Sequence, residues 1–78
     1  MFFTAVITDH DNAPAIRRQL KKAGFVYVRA DKRWVCNPMG LRGARLVLPA
    51  IRRIKGIELT RWTTAEFHAD LAARVAAA

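Results

Sequence analysis

A chain of 78 residues, 53% hydrophobic and 26% charged, is long enough for one domain over residues 1–78 and too apolar to stay disordered. A formal net charge of +8 points to an acidic partner. A single cysteine, Cys36, excludes an internal disulfide and the multi-cysteine zinc patterns.

Phe2–Thr8 is short, aromatic and β-branched, and predicts a buried strand. The Phe2–Ile7 run is too short to cross a membrane and polar residues follow it at once, so no signal peptide is expected, and the lone Cys36 points to a cytoplasmic setting. Asp11 or Asn12 can cap the next helix, and Pro14 suits its first turn, where a missing N–H does no harm. That helix runs to about Ala23, with Ala13, Ile16, Leu20 and Ala23 at the spacing of one buried stripe. Arg17, Arg18, Lys21 and Lys22 fall off the stripe and make a dense cationic face. Gly24 stands where a left-handed C-cap is wanted.

Phe25–Ala30 and Arg33–Asn37 predict a hairpin closing at Asp31-Lys32. A two-residue turn there sets Arg29 opposite Trp34, Val28 opposite Val35 and Tyr27 opposite Cys36. Val26, Val28 and Val35 then share one face, and Phe25, Tyr27, Arg29 and Trp34 the other. Residues 41–56 allow two readings. Leu41, Ala44, Leu48, Ile51 and Ile54 fit one helical face, but Pro49 argues against an uninterrupted helix. A strand at Ala44–Leu48 with a short helix from Pro49 is slightly favoured. Ile57–Trp62 predicts another strand. Thr63 and Glu66 form a capping box that opens a last helix, whose buried stripe is Phe67, Leu71 and Val75. Beyond the stripes, heavy side chains such as Phe2, Phe3, Ile7, Leu46 and Leu59 are candidates for the core. The expected class is α+β: a small antiparallel or mixed sheet with helices on one face, a ferredoxin-like plait being favoured.

The strongest chemical signal is the basic surface with aromatics. Arg17, Arg18, Lys21 and Lys22 can neutralise phosphates, and Tyr27 and Trp34, flanked by Arg29, Lys32 and Arg33, can stack on bases. Trp34 packed in the core, with Arg29 lying across its ring, is the favoured alternative for that residue. Arg42, Arg45, Arg52, Arg53, Lys55 and Arg61 form a second basic population, from which Arg52 and Arg53 are taken as candidate contacts. Asp9 and Asp11, with His10 between them, could hold magnesium for phosphodiester cleavage, but capping and turn formation explain the same run. His10 and His68 lack metal-ligand spacing, and Cys36 reads as a buried thiol. No catalytic group, metal or cofactor is therefore assigned.

The segment Ala15–Val35, AIRRQLKKAGFVYVRADKRWV, resembles a short module of phage and mobile-element proteins: a basic helix ending in Leu-x-x-x-Gly-Phe, then a hairpin whose second strand carries Trp. Leu20, Gly24, Phe25 and Trp34 occupy those positions, and the resemblance implies structural roles for Phe25 and Trp34. In type, the chain also resembles the small, charged proteins that phages encode against host defences, anti-CRISPR proteins among them. That resemblance implies a non-enzymatic inhibitor. Its partner would be nucleic acid or an acidic or nucleoprotein surface, such as a CRISPR–Cas surveillance complex, and not a membrane.

Overall fold

The structure is a computed structural model in which the described residues are 1–38 and 40–77. The side chains of Leu41, Arg42, Ala44 and Leu46 lie outside the description, and with them the expected roles of Leu41, Ala44 and Leu46 in the core and of Arg42 in the basic surface.

Four strands, β1 (Phe2–Ile7), β2 (Val26–Val28), β3 (Arg33–Cys36) and β4 (Ile57–Trp62), form one sheet in the order β2-β3-β1-β4. Every neighbouring pair is antiparallel, so the class is α+β. Three helices complete the chain: α1 (Ala13–Ala23), α2 (Gly40–Arg52) and α3 (Thr64–Ala77). Because β3 lies between β1 and β2, and β1 between β3 and β4, the β1-α1-β2 and β3-α2-β4 crossovers interleave.

Strand alternation sorts the side chains into two layers. Phe3, Ala5, Trp34 and Cys36 share one face through the pairs Phe3↔Cys36 and Ala5↔Trp34. They are buried in one cluster with Ile16 and Leu20 of α1, with Phe25, and with Ile51 and Ile54 at and after the end of α2. Phe2, Thr4 and Arg33 point the other way, where α3 lies. There Phe2 stacks on Phe67 with ring centroids 4.1 Å apart, and Trp62 Nε1 donates to Thr4 Oγ1 at 2.9 Å. The expectation of helices on one face thus holds for α1 and α2 and is corrected for α3. The reason is parity: Phe2, Thr4 and Trp62 would otherwise leave a second apolar face in water.

Local signals work as the sequence predicts at both ends of the chain. Gly24 adopts φ +100°. The Phe25 amide donates to Leu20 O at 2.9 Å and the Gly24 amide to Lys21 O at 3.1 Å, the paired bonds of a Schellman cap. The capping box also forms, with Thr63 N donating to Glu66 Oε1 at 3.0 Å and Glu66 N to Thr63 Oγ1 at 3.2 Å. Those bonds, the backbone one first, hold the Glu66 carboxyl below its ordinary range.

Five expectations are corrected. A short 3-10 turn at His10–Asn12 leads into α1, and neither Asn12 nor Asp11 caps it. Asn12 instead donates from Nδ2 to Asp9 Oδ2 at 2.8 Å. The hairpin closes through residues 29–32, with Lys32 N donating to Arg29 O, so that Val26 faces Val35, Tyr27 faces Trp34 and Val28 faces Arg33. This register differs by two residues from the expected one, which changes every partner, keeps the strand side chains on their expected faces and moves Arg29 out of the strand into the turn. Residues 40–52 form one helix with Pro49 inside it, in place of the favoured strand. Pro49 is exposed, so the carbonyl it leaves without an amide donor can meet water, while Ile51 is buried. The α3 stripe buries Phe67, half-buries Leu71 and leaves Val75 in solvent. Leu59, opposite Ala5 but on an outer strand, is exposed.

Candidate nucleic-acid interface

The cations of α1 occupy different sides of the helix because successive residues are turned by about 100°. Ile16 and Leu20 are buried, and Arg17, Arg18, Lys21 and Lys22 are all exposed. Arg17 and Lys21, four residues apart, flank the buried line on one side. Lys22 flanks it on the other, and Arg18 stands opposite it.

The Arg17–Lys21 side opens onto a groove of about 540 Å³ between α1 and the β2–β3 turn. Its polar lining is Arg17, Lys21, Lys32 and His10, and its aromatic lining is Tyr27 and Trp34. Val6, Ile7 and Ala13 supply the rest. Among the described residues no carboxylate lines it. The two rings play different parts. Trp34 is 4% exposed and belongs to the core, as favoured from sequence, whereas Tyr27 is 46% exposed. Their centroids lie 5.3 Å apart with the planes inclined by 59°, so the buried indole backs the open phenol ring. Tyr27, rather than Arg29, is the aromatic neighbour of Trp34.

Lys22 meets the second basic population. With Gln19 and Ala23 it faces Ala50, Arg53 and Ile54 across a hollow of about 280 Å³ between α1 and the end of α2. Arg52, Arg45, Lys55 and Arg61 are exposed, as is Arg29 in the hairpin turn. The structure therefore joins Arg17, Lys21 and Lys32 at one groove and Lys22 and Arg53 at another, with Arg18 on the ridge between them.

Arg33 leaves the surface set. It is 3% exposed, on the α3 side of the sheet. Its Nη2 lies 2.9 Å from Asp70 Oδ2 and 3.6 Å from Asp31 Oδ2, and its guanidinium carbon lies 5.1 Å from the Phe67 ring centre and 5.8 Å from that of Trp62. Arg74 Nε completes the cluster, 2.7 Å from Asp70 Oδ2. The hydrogen bond from Arg74 and the nearby charge of Arg33 hold the Asp70 carboxyl below its ordinary range.

Asp9 lies in a separate hollow with Asn12, Arg53 and Lys55. The amides of Thr8 and Asp9 donate to Gly56 O at 2.8 and 3.1 Å, which pins this corner to the start of β4. Gly56 has φ +77°, and a Cβ there would stand 2.6 Å from Asp9 Cβ. Asp11 and His10 are exposed on the turn. Among the described residues no three His, Cys, Asp or Glu side chains are grouped to hold a metal ion. Cys36 is buried, and burial pushes its thiol above the ordinary value. Among the described residues no helix is long and apolar enough to cross a membrane. No family model, no curated protein and no solved structure matches the chain.

Proposed function

We propose that this protein is a non-enzymatic binding module that docks on nucleic acid, free or within a nucleoprotein complex, through α1 and the groove beside it. The observation that carries this reading is the gathering of Arg17, Lys21 and Lys32 around an open aromatic ring with no carboxylate in the lining. Unopposed cations attract phosphates, and binding releases the counterions condensed there. The ridge through Arg18 to Lys22 and Arg53 extends the cationic surface beyond the groove.

A non-catalytic role is supported by Asp9, whose carboxylate is engaged by Asn12 and shares its hollow with cations rather than with a second acid. The interleaved crossovers support a ferredoxin-like plait extended by α3, and we keep the cytoplasmic setting as part of the proposal. The resemblance to phage-encoded inhibitors gives the function a concrete form, occupation of the nucleic-acid path of a CRISPR–Cas complex.

The test is a variant with Arg17, Arg18, Lys21 and Lys22 all changed to Gln. It should melt like wild type and lose affinity for oligonucleotides, and the wild-type affinity should fall steeply with salt. A folded variant with undiminished binding would remove the assignment. Incubation of DNA and RNA with magnesium or manganese tests the non-catalytic part, since cleavage that vanishes in Asp9→Asn would replace it with a nuclease. Capture of purified surveillance complexes, lost in the same Gln variant, is the expected result for the inhibitor form.

A further inference from the structure

Resting on the nucleic-acid reading, we infer that the groove between α1 and the β2–β3 turn is a single-strand site, taking one unpaired base on Tyr27 and the flanking phosphates on Arg17, Lys21 and Lys32. Three observations meet there.

The first is the open ring. Tyr27 is 46% exposed on an edge strand and its ring leans on the buried Trp34 with the planes inclined by 59°, so part of the ring stands open at the groove. Paired bases in a duplex hide their faces from such a ring, whereas an unpaired base can stack on it whatever its identity. The second is the placement of charge. Arg17 and Lys21 stand one helical turn apart, about 6 Å along the axis, on the same side of α1, and Lys32 closes the groove from the turn opposite. Cations thus flank the ring from two elements, as a strand with phosphates on both sides of a stacked base requires.

The third is the backbone of Lys32. Its φ is +53°, in the left-handed region that favours glycine or asparagine. A lysine costs the turn backbone energy there, so the turn itself does not call for it, and Lys32 is one of the residues that line the groove.

Fluorescence anisotropy with a labelled oligonucleotide, single-stranded and annealed to its complement, tests the site on the 78-residue chain. The single strand should bind about tenfold more tightly than the duplex, within what one base–aromatic stack supplies. Tyr27→Leu should erase that preference by weakening single-strand binding about tenfold while leaving the duplex unchanged, and Tyr27→Phe should keep it. Equal wild-type affinity for both forms would overturn the single-strand site while leaving the phosphate-binding function in place, and needs no variant. Absence of binding to either form by folded protein would remove both.

Discussion

On one side of the sheet Arg33 is sealed between aromatic rings and held by two carboxylates, and on the other Arg17 stands exposed in a groove lined by no acid. The chain has six acidic residues. Three of them, Asp31, Glu66 and Asp70, form the ion pairs or the helix cap on the α3 side. Among the described residues no carboxylate is ion-paired with a cation of α1. A basic residue becomes a binding group here through where the few acids are used. The α3 side turns charge into structure, and the α1 side keeps it for a partner.

The largest effect should come from the ring that lies under the groove. Trp34→Ala removes a core side chain and should cost ~3–5 kcal/mol, enough to unfold so small a domain, whereas Tyr27→Leu should melt nearly as wild type. A thermal melt of the two variants measures this, and a normal melting temperature for Trp34→Ala would break the distinction between buried and open aromatic.

The next separates the arginines. Arg33→Gln should cost about 2 kcal/mol, less than a fully sealed ion pair because Asp70 is partly open to water, and Arg17→Gln should cost under ~0.5 kcal/mol while weakening binding. The pH dependence follows from the same cluster. Since the folded Asp70 carboxyl lies below its ordinary value, its contribution is full above that value and is lost as pH falls through the lower, folded one. Denaturant melts across the acid range should show this loss in wild type and a reduced slope in Asp70→Asn. The same acid slope in both would assign the effect elsewhere.

Lys32→Gly should leave the melting temperature unchanged or raise it, by up to ~1 kcal/mol of relieved left-handed strain, and should weaken nucleic-acid binding. Stability and binding moving in opposite directions at one residue is the expected signature of a side chain kept for a partner. Unchanged affinity would make Lys32 an ordinary turn residue.

The elements that were legible in the sequence are those whose causes lie within a few residues. Gly24 ends α1 because the left-handed cap and the Leu20–Phe25 bond are local, and Thr63 with Glu66 starts α3 for the same reason. The α1 stripe is equally local, so the exposure of Arg17, Arg18, Lys21 and Lys22 followed from spacing alone. The faces of the hairpin were legible although its register was not, because a shift of two residues preserves parity.

What the tertiary structure alone decided are the contacts between distant segments. Pro49 sits inside α2, a helix that carries Ile51 into the core and leaves the proline exposed, where a carbonyl without its donor can meet water. Arg33 and Arg29 look alike in sequence, four residues apart in one basic hairpin. Only Arg33 points toward α3, and only there does Asp70 wait for it. The groove is likewise a product of packing: Arg17 and Lys21 come from a helix, Lys32 from a turn and Tyr27 from an edge strand, and the sheet brings them to one place. Composition determined that the chain carries surplus positive charge and that α1 displays part of it. Which charges are neutralised, and which gather around an aromatic ring, depends on distances between residues far apart in the chain, and those distances exist only once the sheet has formed.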